Sequence, residues 1–390
     1  MQFVNERLMN MELQGGIYDI YQKALAMESE GKKIVHMEIG RPDFDSPQIA
    51  KEAAIEAING GKVHYTTMAG IPELREAISA MEFRENGIIS DPDSEIVVTA
   101  GACEALMATM MATLMPGDSI IIPTPYFGAY ANMAELLGIN LIEVVCKADK
   151  DFVPCIEDII AAYTEDTKAI VINTPNNPTG AVIPDDVLIK IGNFAKEKNL
   201  LVISDETYSQ FLYEGKHISI STLNGMKERT VVVSSASKLF SMTGWRIGYA
   251  IMPKEIVPYV NKVHENMSTC ATSFAQYGAA KAYAEERAFT VNMVSEFKKR
   301  RDMLYEGLKN CELIEPIKPK GAFYMMVNIR RTGLNGNQFS EMLLDNKGIA
   351  VTPGGAFGKG GDDFIRMSYG CSREDISYAL DKVIEFTKTL

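Results

Sequence analysis

Between residues 96 and 286 short runs of β-branched and other apolar residues alternate with longer helical patterns, and this alternation leaves few architectures open. The runs lie at 96–99, 119–122, 140–145, 169–173, 201–204, 230–234 and 247–251. Helical patterns at 103–114, 129–137, 184–198 and 276–286 lie between most of them. Such a succession predicts an α/β fold around a mainly parallel, seven-stranded sheet. The runs IVVT, SIIIP, AIVIN, LLVIS and TVVVS are nearly all apolar, as expected for strands covered on both faces. After about residue 285 the character changes to a charged helical stretch at 291–308, then GAFYMMVNI, 338–346 and a glycine-rich loop. This reads as a smaller α+β unit joined by the N-terminal segment. The expected division is 46–285 for a large domain and 1–45 with 286–390 for a small one, which suits 390 residues.

Charge and composition exclude several partners. With 39 basic and 51 acidic residues the formal charge is −12, and no basic block offsets it. A nucleic-acid backbone needs a basic stripe, so none is expected as a partner. The longest apolar run, 105–115, is too short for a bilayer and is interrupted by threonines. The start, MQFVNERLMNMELQ, lacks the basic, apolar and small-residue succession of a signal peptide. A cytoplasmic location is therefore expected. The six cysteines are scattered without a C-x-x-C pair and read as reduced thiols. No two of the four histidines have metal-ligand spacing, so no metal is expected.

Four polar segments fall at the C-terminal ends of expected strands, where open parallel sheets bind ligands. In SSASKLFSMTGWRIGY (234–249) a lysine stands between small hydroxyl residues, with an arginine eight positions on. Lys238 could form an imine with a phosphorylated aldehyde, Arg246 could clamp the phosphate, and Ser235 and Ser237 could donate to its oxygens. An exposed loop lysine beside a strand arginine is the plainer alternative. In ISDETY (203–208) Asp205 could keep a pyridinium nitrogen protonated and Tyr208 could donate to a ring oxygen, although for this segment alone a helix-capping aspartate is the better reading. The turn NTPNNPTG (173–180) would present Asn177 rigidly. The strand-to-helix turn in VTAGACEAL (98–106) would aim the N–H groups of Ala102 and Cys103 at an anion.

Together these segments resemble the class I/II aminotransferases of pyridoxal 5′-phosphate (PLP) fold type I, over nearly the whole chain. Further stretches carry the resemblance: GRPDF (40–44), YTTMAGIPELREAI (65–78), PTPYFGAY (123–130), GAFY (321–324), PGGAFG (353–358) and FIRMSYG (364–370). The glycine-rich GGAFGKGG does not stand in a βαβ unit and is not read as a dinucleotide site.

The resemblance implies roles residue by residue. Lys238 is the Schiff-base lysine and proton-transfer base, Asp205 holds the ring nitrogen, and Asn177 and Tyr208 hold the ring hydroxyl oxygen. Ser235, Ser237, Arg246 and the N–H groups of Ala102 and Cys103 bind the phosphate. An aromatic residue stacks on the ring, Phe127 by preference and Tyr126 otherwise. Arg366 grips the substrate α-carboxylate, helped by the Gly40 backbone, and Asn177 also faces substrate. Tyr65 reaches the partner subunit's phosphate, which implies a homodimer. The implied reaction moves an amino group between an amino acid and a 2-oxo acid, with 2-oxoglutarate as one acceptor. A PLP-dependent carbon–sulfur β-lyase and a non-catalytic PLP-binding regulator are the alternatives. Two departures stand out. Ala102 and Cys103 occupy positions where many relatives carry a hydroxyl or another small residue, and no second arginine is clearly placed for a distal carboxylate. Arg41, next to Gly40, is one candidate for that task, although an arginine in such a loop more often faces solvent.

Overall fold

The computed structural model describes residues 3, 8, 9 and 17–390; of the N-terminal segment, residues 1, 2, 4–7 and 10–16 lie outside the description. Seven strands form the large sheet: β1 (Ile96–Thr99), β2 (Ser119–Thr124), β3 (Asn140–Val145), β4 (Thr167–Asn173), β5 (Leu201–Asp205), β6 (Thr230–Ser235) and β7 (Gly248–Ile251). Their order is β1-β7-β6-β5-β4-β2-β3. Every pairing is parallel except the two made by β7. All seven expected strands are present, some with longer ends. The run expected at 119–122 continues to Thr124, and that at 247–251 begins at Gly248.

The apolar strands are explained by cover on both faces. Along β4, Ala169 and Val171 pack into one core cluster while Ile170 and Ile172 pack into another. Val231 and Val233 of β6 join the first cluster, and Val232 faces the opposite side. Helix Ala102–Thr113 covers the first face through Ala105, Leu106 and Ala108. Helices Pro72–Asn86, Asp185–Glu197 and Ser273–Glu285 cover the second. Pro72–Asn86 begins on a proline whose missing N–H costs nothing there, and Gly87 stops it at φ 71°.

Beyond this sheet, β8 (Tyr324–Asn328) and β9 (Phe364–Ser368) form the centre of a four-stranded antiparallel sheet. Helices Arg287–Leu308, Gly336–Lys347 and Arg373–Thr387 pack against it. The helix expected from 291 starts at Arg287, because only Glu286 separates it from the preceding helix and no proline or glycine marks the break. The N-terminal segment returns to this side of the molecule. Val35–His36 pairs in parallel with Ile349–Ala350, and helix Ile17–Ser29 packs Ile20, Ala24 and Met27 on Leu344 and Ala350. Residues 38–41 thereby cross the C-terminal edge of the large sheet.

Candidate active site

At that edge lies a cavity of about 420 Å³, walled by Gly40, Ala102, Cys103, Phe127, Asn177, Asp205, Tyr208, Ser235, Ser237, Lys238, Arg246, Tyr324 and Arg366 among others. The large sheet supplies its floor. Asp205 is the last residue of β5, and its Oδ2 accepts from the Tyr130 hydroxyl at 2.7 Å while Oδ1 accepts from the Thr207 N–H at 3.0 Å. Burial pushes the Asp205 carboxyl above its ordinary range, and these two donors oppose the push. Asn173 ends β4. Its amide donates to the Asp205 carbonyl at 2.9 Å, and its Oδ1 accepts from the Asn177 N–H at 2.8 Å, joining the two strand ends. The Tyr208 hydroxyl bonds that of Tyr324 at 2.7 Å.

Lys238 sits on the single-turn helix Ala236–Leu239 that follows β6, and its Nζ donates to the Gly40 carbonyl. Burial lowers its pKa to about 8, and the charges of Arg366 and Arg246 act in the same direction. Arg246 lies eight residues on with φ 54°, its Nη2 donating to the Ala100 carbonyl at 3.1 Å. The guanidinium lies against Gly101, where any Cβ would collide with it. Gly248 is required in the same way, since a Cβ there would strike the Gly101–Ala102 peptide. These two contacts bring Arg246 to the start of helix Ala102–Thr113, whose first N–H groups have no intrahelical partner.

Arg366, in β9, forms the opposite wall and is 3% exposed. Its Nη1 donates to Asn177 Oδ1 and its Nη2 to Thr352 Oγ1, each at 3.1 Å, and Nη2 also meets the Glu38 carbonyl. The guanidinium centre lies 4.6 Å from the Tyr324 ring centroid and 4.8 Å from that of Phe357. Its Nε has no hydrogen-bond partner, and no carboxylate of the described residues forms an ion pair with it. A buried cation held only by neutral acceptors is poised to take an anion.

The comparisons with known proteins agree with this geometry. A family model described as aminotransferase class I and II matches residues 32–383. The chain belongs to the class I and II aminotransferases. It is a PLP-dependent aminotransferase with the fold type I architecture. Among similar proteins, the aspartate aminotransferase of Pyrococcus abyssi is 41% identical over 355 residues, 90% of this chain and 91% of that protein. Aromatic-amino-acid aminotransferase 2 of Thermococcus litoralis is 38% identical over 93% of this chain and 94% of its own. The solved structure of Thermus thermophilus aspartate aminotransferase with maleate superposes with a TM-score of 0.94, at 37% identity and over 100% of both chains.

The residues of this aminotransferase fit PLP. The half-buried lysine, the carboxylate at a strand end, and the hydroxyl, guanidinium and helix-start donors line one cavity, a set of groups that suits an aldehyde, a ring nitrogen and a phosphate. Of the residues expected from sequence, the cavity unites Lys238, Asp205, Tyr208, Asn177, Ala102, Cys103, Phe127, Ser235, Ser237, Arg246, Gly40 and Arg366. Tyr126 corrects the expectation. Its side chain is turned away into the core, where its hydroxyl bonds Glu143 Oε1 at 3.0 Å, so only its neighbour Phe127 faces the cavity. Tyr65 is 85% exposed and lies outside the cavity of its own chain. Arg41 is exposed and lines an adjoining hollow with His36 and Asp375. The sequence reading missed Tyr130, Asn173 and Tyr324, although PTPYFGAY, NTPNNPTG and GAFY contain them. Each acts by bonding a residue distant in sequence, which a local pattern does not reveal.

Proposed function

We propose that Lys238 Nζ is the group that holds the cofactor covalently and then shuttles the proton on and off the substrate Cα, with Arg366 as the α-carboxylate anchor. The observation that carries this reading is a half-buried lysine and a buried arginine without an ion-pair partner among the described residues, both in the cavity that Asp205 also lines. Bound PLP supplies an aldehyde for the amino group and a protonated ring that accepts the electron pair left at Cα. Asp205, whose carboxylate accepts from the Tyr130 hydroxyl and the Thr207 N–H, would hold the proton on the ring nitrogen. Tyr208 and Asn177 would donate to the ring's phenolic oxygen, and Phe127 would pack against the ring. Arg246, Ser235, Ser237 and the N–H groups of Ala102 and Cys103 hold the phosphate. The lowered pKa of Lys238 leaves a useful fraction of neutral amine near neutrality, which both the linkage and the proton transfer need.

The Arg366 fork and the Gly40 backbone would orient the substrate so that Cα faces Lys238. The similar proteins named for aspartate and for aromatic amino acids make those the first donors to examine, with 2-oxoglutarate as acceptor. The working unit in this reading is a homodimer in the cytoplasm. Ile55, Ile58, Val63, Tyr65 and Met68 are exposed apolar side chains within one short segment, which favours contact with a second copy, and Tyr65 would reach that copy's phosphate. The division into 46–285 and 1–45 with 286–390 is part of the same proposal, supported by the distinct antiparallel sheet, although Tyr208, Phe211 and Tyr213 of the large unit pack into that sheet's core. The test is a panel of amino acids in single-turnover mode. Donors should convert bound PLP to its amine form and leave the matching 2-oxo acid. Pyruvate and ammonia released without an acceptor would assign the chain to β-elimination instead.

A further inference from the structure

Directly after Asp205 the chain buries a second carboxylate that does not reach the cavity. Glu206 is fully buried. Its Oε1 accepts from Ser204 Oγ at 2.9 Å and Ser219 Oγ at 2.7 Å, and its Oε2 lies 2.7 Å from His217 Nε2. Its own N–H donates to the Val233 carbonyl, and its carbonyl accepts from the Ser209 N–H, both at 2.8 Å. Withdrawing a carboxylate from water costs several kcal/mol before its partners offset it. An apolar residue would fill this place at lower cost, so the feature calls for a reason beyond packing.

The alternation of the turn supplies one. Asp205, Thr207 and Tyr208 line the cavity, whereas Glu206 and Ser209 face the other way. Ser209 is held by Asn86, whose Nδ2 lies 3.3 Å from Ser209 Oγ and 2.6 Å from Glu82 Oε2. Glu82 is itself buried and takes the Tyr249 hydroxyl, and burial, assisted by the charge of Glu206, raises its pKa to about 7. The turn bearing both ring-contacting residues is thus pinned from behind at two points. Besides His217, the titratable groups facing Glu206 across this interior are Glu82 and Asp205, and its negative charge strengthens the hold of Asp205 on a proton.

We infer that Glu206 is a positioning residue for transamination, its clamped carboxylate fixing the 205–209 turn so that Asp205 and Tyr208 meet the cofactor ring. The inference rests on the roles proposed above for those two residues. It is tested in PLP-loaded enzyme with Glu206→Ala, Glu206→Gln and His217→Gln, alongside Asp205→Asn. The measurements are kcat, KM, the pH midpoint of the bound cofactor's visible absorbance, and the melting temperature. Glu206→Ala should lower kcat about tenfold to a hundredfold, as misplacement of a catalytic group does, with KM little changed. It should also shift the absorbance midpoint. Glu206→Gln and His217→Gln, which keep part of the clamp, should move the same quantities in the same direction by less. If Glu206→Ala does not fold, the two glutamine variants decide. Lower melting temperatures with unchanged kcat and midpoint would make Glu206 a purely structural residue and overturn the inference. Should Asp205→Asn itself turn over normally, the parent reading falls and this one with it. A collapse in Asp205→Asn beside unaffected Glu206 variants would remove the positioning role alone.

Discussion

In the proposed mechanism Lys238 is the residue on which the chemistry turns, and its surroundings make its titration measurable. In cofactor-free enzyme its pKa is lowered to about 8, mainly by burial. The neutral amine is the attacking form, so the rate of PLP capture should rise with pH up to about 8 and level off above it. Lys238→Ala should still hold PLP through its ring and phosphate contacts, but lose the borohydride-reducible link. It should also lose at least the roughly 10²–10⁴-fold rate contribution of a positioned base. Peptide mapping that finds the reduced cofactor on another lysine would end this assignment. On the substrate side, Arg366→Lys keeps a charge but loses the planar fork, and should raise KM and lower kcat for acidic and neutral donors alike. Arg41 is exposed and outside the cavity, so Arg41→Ala should change either donor's kcat/KM by less than about twofold. A selective loss with acidic donors would instead show that Arg41 meets the distal carboxylate. At this scale most of the cavity was legible, because Lys238, Asp205, Asn177 and Arg366 stand in short characteristic segments. Tyr126 and Phe127 could not be separated by pattern, since adjacent residues on an irregular turn differ in direction only once the fold is known.

Among the elements, helix Ala102–Thr113 shows how a secondary structure becomes a ligand. Its start meets Arg246 only because Gly101, at φ 87°, has no side chain. Gly101→Val would force a strained backbone conformation and displace the guanidinium. The expected result is a marked loss of PLP affinity with unchanged far-ultraviolet circular dichroism, read by titrating apoenzyme with PLP. Unaltered affinity would show that the Gly101 contact is dispensable. The large sheet was readable from the sequence, because most of its strands are covered on both faces and are apolar along nearly their whole length. Helix Gln48–Asn59 was not, since its buried side is made of Ala50, Ala54 and Ala57, which give little periodic contrast. The short pairing of Val35–His36 with Ile349–Ala350 was equally hidden, because two residues carry no pattern.

For the whole molecule, the position of Tyr65 makes assembly the issue. It is 85% exposed in a single chain, so a role at a phosphate requires a second copy. Mixing an inactive Tyr65 variant with Lys238→Ala should restore activity, since one site of each mixed dimer would then be intact. No recovery in demonstrated mixed dimers would place Tyr65 outside the chemistry. The single return strand β7 has a consequence for how the enzyme is made. It lies between β6 and β1, and the bond from Arg246 to Ala100 spans 146 residues. Contacts of such sequence separation form slowly and late. A nascent chain that has emerged only as far as residue 240 carries Asp205, Asn177 and Lys238, yet lacks the strand that closes the sheet and the arginine proposed to meet the phosphate. PLP supplied during translation should therefore have no influence on early folding, and cofactor loading should begin only after β7 has emerged from the ribosome.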